Sequence, residues 1–185
     1  VAKLYLIGSL RNPEIPKIAN ELRELGFDVF DDWFAAGPEA DDKWKEYEET
    51  RGRSFSDALN GEAARHVFGF DFQHLSVSDV VVLELPAGKS GHLELGWALG
   101  RHKRGYILHN NPDRWDVMYK FAHGVYYSLD ELKKELVRWH SGSPYLIASP
   151  QPLRSSSPVP PVTEDKSSVV AGSVAGSSND QTAQP

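Results

Sequence analysis

The chain has 185 residues, no cysteine, 20 Lys plus Arg against 26 Asp plus Glu, and a net charge of −6. The lack of cysteine excludes disulfide staples, thiolate metal sites and a cysteine nucleophile, and the acidic balance argues against a grip on a nucleic-acid polymer. No apolar run reaches the ~20 residues that span a bilayer, so the expectation is a cytoplasmic protein with no membrane partner.

The N-terminal run through Lys3 to Ile7 lacks a signal peptide's basic start and cleavage site. It reads as a short buried strand stopping at Gly8-Ser9. Ile15, Ile18, Ala19, Leu22 and Leu25 then recur at helical spacing, with Gly26 as a stop. Phe27 to Phe30 reads as a second strand, and 31–53 as a long loop carrying a helical piece around Trp44 and Tyr47. Residues 55–75 read as helical, in one or two parts. Val80-Val81-Val82-Leu83 is the clearest buried strand, Gly91 to Gly100 the next helix, and Tyr106 to Leu108 and Val125 to Tyr127 the last strands. Ser128 and Glu131 have capping-box spacing before a helix whose Leu129, Leu132, Leu136 and Trp139 share a face.

Strands alternating with helices imply a doubly wound five-stranded parallel sheet, and right-handed crossovers favour the flavodoxin-like order 2-1-3-4-5. The expected folded domain covers 1–141. Residues 142–185 form a Ser/Pro-rich tail that has no aromatic residue from Pro150 onward, too little apolar surface to offset the entropy of ordering it.

In such sheets ligands bind outside the carboxyl ends of the strands. Three segments should converge there: Gly8-Ser9-Leu10-Arg11, Asp31-Asp32-Trp33, and Pro86 to Glu94. Gly88 and Gly91 would let a ligand approach the backbone, and free amides at the helix start would make an anion site beside Ser90 and His92. Glu94 falls in the first helical turn on this reading, where it could either complement the helix dipole or act chemically. Asp71 reads as a solvated carboxylate or a site residue, and Trp33 as a base-stacking or a packing side chain. Lys89-Ser90 lacks P-loop spacing. The histidines at 66, 74, 92, 102, 109, 123 and 140 show no metal-ligand pairing, and only His92 is placed near the cleft. We expect neither a metal nor a cofactor.

Taken together, Tyr5-Leu6-Ile7-Gly8-Ser9-Leu10-Arg11, Asp71-Phe72-Gln73-His74-Leu75 followed by Ser78-Asp79-Val80-Val81-Val82, and Glu94-Leu95-Gly96 with Ala98 resemble the nucleoside 2-deoxyribosyltransferase superfamily. The resemblance is strongest to its 2'-deoxynucleoside 5'-phosphate N-hydrolase branch. It implies that Glu94 attacks C1' of the sugar, that Asp71 serves as acid/base on the leaving nucleobase, and that Tyr5 orients the pair. It also implies that Ser9 and Arg11 hold a 5'-phosphate and that a neighbouring subunit of a homodimer or larger homo-oligomer completes the site.

Departures stand beside it. Gly88 replaces a phosphate-binding serine, for which Ser90 would have to substitute, and Asn12-Pro13 replaces the glycines after the arginine. The expected activity is N-glycoside cleavage of a nucleoside 5'-monophosphate. Base exchange between nucleosides, NAD-type glycohydrolysis and a non-catalytic nucleotide-binding module are the alternatives.

Overall fold

In the computed structural model, residues 1–112 and 115–142 are described. The expected tail therefore lies outside the described residues, apart from Gly142. Strands β1 (Lys3–Ile7), β2 (Asp28–Phe30), β3 (Val80–Glu84), β4 (Arg104–Leu108) and β5 (Gly124–Tyr126) form one parallel sheet in the order β2-β1-β3-β4-β5. This is the expected doubly wound, flavodoxin-like arrangement. Every residue of β3 is buried, which is why Val80 to Leu83 read as an unbroken apolar run rather than an alternating one.

Alternation along the strands sorts the core into two layers. Leu4, Leu6, Val80, Val82, Tyr106 and Leu108 pack against α1 (Ile15–Glu24) and α6 (Leu129–His140). Tyr5, Ile7, Val81, Leu83 and Ile107 face the other way, toward α4 (Glu62–Val77) and α5 (Lys89–Gly100). Helix α1 buries Ile15, Ile18, Ala19 and Leu22, carries Pro16 in its first turn where no amide is missed, and gives way to Gly26 at φ 91°. At α6 the Ser128 hydroxyl accepts the Glu131 N–H at 3.3 Å, while the Glu131 carboxylate accepts from Tyr127 rather than closing the expected box on Ser128.

The 31–53 segment is more ordered than a loop. A 3-10 turn (Asp32–Ala36) leads into α2 (Ala40–Thr50), whose buried Glu48 is paired with Arg53 at 3.0 Å. The helical 55–75 stretch divides into α3 (Phe55–Leu59), opened by a Ser54–Asp57 capping box, and α4. The break falls at Gly61, where an added Cβ would lie 2.7 Å from the Arg53 guanidinium and 2.9 Å from the Ala58 carbonyl oxygen. The Asp79 carboxylate accepts the Lys3 N–H at 2.8 Å and so ties the start of β1 to the start of β3. None of the described helices is long and apolar enough to cross a membrane.

Candidate active site

Tyr5, Asp71 and Glu94 come from three elements on the same side of the sheet. Tyr5 is the third residue of β1 and is 1% exposed, with its ring stacked on Phe30 at 5.1 Å. On α4, Leu75 is the buried anchor against the sheet, and Asp71 one turn earlier shares its face, half-buried. On α5, Gly91, Leu95 and Ala98 form the buried stripe, and Glu94 flanks it.

Helix α5 begins at Lys89 with Gly88 as its N-cap, so Glu94 is its sixth residue. The expected first-turn placement is corrected to the second turn, where the dipole explanation for a glutamate is weak.

The three groups feel one another. Burial, and then the charge of Asp71, push Glu94 up to about 7. Burial raises Asp71 as well, and His74 partly offsets the rise. The Tyr5 hydroxyl is raised by burial first, then by Glu94 and Asp71. Two carboxyls that each disfavour ionisation of the other bind protons as a pair. Near neutral pH such a pair offers one acid and one carboxylate, the complement that an oxocarbenium-like displacement requires.

The other expected residues are placed less uniformly. An added Cβ at Gly8 would lie 2.4 Å from Ile15 Cδ1, and one at Gly91 would lie 2.9 Å from Ile7 Cγ2, so both glycines serve helix-to-strand packing. Gly88 meets no such contact, adopts an ordinary extended conformation and supplies no side-chain cap, which leaves the first-turn amides of α5 without one. Ser90 lies exposed in that turn. The Ser9 hydroxyl accepts the Arg11 N–H at 3.2 Å, and the Arg11 guanidinium donates to Asp42 of α2 at 2.9 Å, both side chains well exposed. His92 Nδ1 lies 2.8 Å from the Gly88 carbonyl oxygen and its Nε2 3.3 Å from the Tyr119 hydroxyl, so it ties the start of α5 to the 3-10 turn Val117–Phe121. Trp33 donates its indole N–H to the Leu6 carbonyl at 2.8 Å and packs against both core layers, which favours its packing role, and Asp32 is exposed.

Sequence reasoning set His74 aside, yet it acts on Asp71 from one turn along α4. The Asp71-to-His74 spacing on a helix is the signal that could have found it. Asp42 and Tyr119 carry no comparable local signal. Glu84, the last residue of β3, is 3% exposed, accepts from Asn110 Nδ2 at 3.2 Å, and has its second oxygen buried without a partner. Burial pushes it up to about 7, and Glu14 adds to the rise. Its side chain belongs to the α1/α6 side, away from Tyr5. A cavity of about 310 Å³ on that side touches Glu14, Lys17, Asn110 and Ser128, and none of the residues expected to bind substrate. Among the described residues no group of His, Asp and Glu is arranged to hold a metal ion.

No protein-family profile and no curated protein matches the chain. Several solved structures are similar to it. One is a conserved protein of Enterococcus faecalis, 13% identical with a TM-score of 0.52, covering 76% of this chain and 99% of that one. A 2-deoxyribosyltransferase of Bacillus psychrosaccharolyticus is 18% identical with a TM-score of 0.49, covering 71% of this chain and 90% of that one. A CMP N-glycosidase of Clostridium botulinum, BcmB, is 14% identical with a TM-score of 0.45, covering 72% of this chain and 97% of that one. At such identities the Enterococcus likeness establishes a shared fold, and the chemistry has to be argued from the residues themselves.

Proposed function

We propose that this chain is an enzyme that cleaves the N-glycosidic bond of a (2'-deoxy)nucleoside 5'-monophosphate through a covalent glycosyl-Glu94 intermediate. The observation that carries the reading is the convergence of Tyr5, Asp71 and Glu94 from β1, α4 and α5 onto one electrostatically coupled site. Binding alone gives no reason to bury two mutually repelling carboxyls, whereas displacement at C1' needs one as nucleophile and one as proton donor.

In the first step an oxygen of Glu94 bonds to C1' and the electron pair of the C1'–N bond leaves with the base. The base takes its proton from Asp71. Water then attacks C1', Asp71 accepts the water's proton, and the Glu94 ester bond breaks to regenerate the carboxylate. Tyr5, fixed by its stack on Phe30, holds the two carboxyls in register. The Ser9 hydroxyl, whose oxygen lone pair already accepts from Arg11, keeps its proton to donate to the 5'-phosphate. The uncapped amides at Gly88 to Gly91 meet the same group. Arg11 reaches it by leaving Asp42, and an ion pair this exposed costs well under ~1 kcal/mol to break.

The same Arg11–Asp42 pair favours a second reading, base exchange on an unphosphorylated nucleoside, since Arg11 is already satisfied. The exposed stripe of Phe68 and Phe72 on α4 with Leu93 on α5 supports a homodimer in which a second copy covers this face.

Base release from ribo- and deoxynucleosides and their 5'-monophosphates, with and without a free acceptor base, tests the proposal. Release from monophosphates without an acceptor is the expected result. Turnover only with an acceptor would select base exchange, and no release from any of them would overturn both readings.

A further inference from the structure

Asp71 projects from α4 between two aromatic side chains. Successive residues of a helix diverge by about 100°, so Phe70 and Phe72 flank Asp71 on opposite sides. Phe72 turns toward α5, where it meets Trp97 edge-on with centroids 5.0 Å apart. Phe70 turns the other way, toward β2, and meets Phe30 at 5.5 Å and His74 at 5.0 Å, inclined by 60° and 63°. Phe30 ends β2 and stacks on Tyr5 at 5.1 Å. The rings of Tyr5, Phe30 and Phe70 therefore form one wall, which runs from the sheet to the residue before Asp71. Within it Phe30 is 8% exposed and Phe70 44% exposed. The Phe70 ring is thus fixed by its aromatic contacts without being covered by them.

We infer that Phe70 is a specificity-determining residue whose open face stacks on the nucleobase of the substrate. This rests on the proposed function. Asp71 protonates the leaving base only from within hydrogen-bond reach of it, which sets the base among the side chains that flank Asp71. On the α5 side the sugar meets Glu94 and the phosphate meets the turn from Gly88 to Gly91, so the base extends toward the β2 flank, where Phe70 lies. A ring already held in place loses little freedom when a base settles on it, and its face grips any base, a purine over more area than a pyrimidine. The stack forms when the substrate binds and is not strengthened as the C1'–N bond breaks. Phe70 therefore contributes to affinity and to the choice of base, and not to the rate of the chemical step.

The test is calorimetric binding to the full chain carrying Glu94→Ala, which holds substrate without turning it over. The probes are dAMP, dCMP and 2-deoxyribose 5-phosphate, the last of which has no base. Phe70→Leu keeps apolar bulk and removes the ring, Phe70→Trp keeps a ring, and Phe70→Met replaces the leucine variant should that fail to fold. Phe70→Leu is expected to weaken both nucleotides on the order of tenfold, dAMP more than dCMP, with the base-free sugar phosphate within about twofold of the parent. Phe70→Trp is expected to bind both nucleotides at least as tightly as the parent. Unchanged nucleotide binding in Phe70→Leu, or an equal loss for the base-free sugar phosphate, overturns the inference, as does a parent that binds neither nucleotide. With Glu94 restored, Phe70→Leu is expected to raise KM for base release by the same factor with kcat within about twofold, and a fall in kcat at constant KM overturns the inference. If nucleotides bind but no base is released, the proposed function fails by itself, and the calorimetry still decides whether Phe70 carries the base.

Discussion

Glu94 lies in the second turn of α5, flanked by the buried Gly91, Leu95 and Ala98, so the helix does not depend on its charge. Glu94→Ala is accordingly expected to leave thermal stability nearly unchanged while base release falls by several orders of magnitude in single-turnover assays. A variant retaining full activity would remove the nucleophile from the mechanism. Glu84 makes an opposite case, a carboxyl whose burial burdens the fold. Its native value of about 7 lies above the ordinary 4.5, so the folded chain binds that proton more tightly than the unfolded one. The associated stability is fully present below about pH 4.5 and is lost as pH rises through about 7. Glu84→Gln should therefore stabilise the protein above pH 7, by no more than about 3 kcal/mol, and the gain should fade in acid. Urea unfolding at pH 5 and pH 8 measures the difference. Equal effects at both values would mean that the carboxyl is not held protonated.

At the level of elements, Gly91 shows how packing shapes the candidate site. An added methyl would lie 2.9 Å from Ile7 Cγ2 and 3.2 Å from Leu83 Cδ1, both belonging to fully buried strand residues with nowhere to move. Overpacking of that kind costs about 1–3 kcal/mol, against about 1 kcal/mol gained from alanine's helix preference. Gly91→Ala is expected to be destabilising on balance in chemical denaturation and to lower turnover by lifting Glu94 from its neighbours; a variant as stable as the parent would show that α5 tolerates the shift. The longer strands were legible in the sequence because β1, β3 and β4 each carry a run of Val, Leu, Ile or Tyr, unbroken in β3 from Val80 to Leu83. The helix starts were less so. Gly88 takes the N-cap by backbone conformation alone, with no side chain to announce it, and the break before α4 is set by the Arg53 guanidinium lying over Gly61. The candidate trio was legible through its resemblance and not through spacing. The Asp42 partner of Arg11 became visible only once α2 had been laid against its neighbours.

Across the whole molecule, the two sides of the sheet have different duties. The side covered by α1 and α6 holds a continuous apolar layer and the buried Glu84, whereas the α4/α5 side holds Tyr5, Asp71, His74 and Glu94. The outer surface of α4 and α5 carries Phe68 against Phe72 and Phe72 against Trp97, with Leu93 exposed beside them. An apolar stripe of this make-up is unusual on a monomer's surface. Phe68→Asp is expected to shift the sedimentation of the protein from dimer toward monomer, and a parent that sediments as a monomer at micromolar concentration would refute the homodimer. The pairing of β1 with β3 at the centre of the sheet carries a further consequence. Tyr5 lies on the β1 side of this seam, opposite Val81, whereas Asp71 and Glu94 come much later in the chain, and exposed Gly52, at φ 70°, marks a turn between the two groups. Dividing the polypeptide there would give two fragments that are each catalytically incomplete. The return of base release on mixing them would report reunion of the two strands, making the protein a self-contained sensor of whatever brings its fragments together.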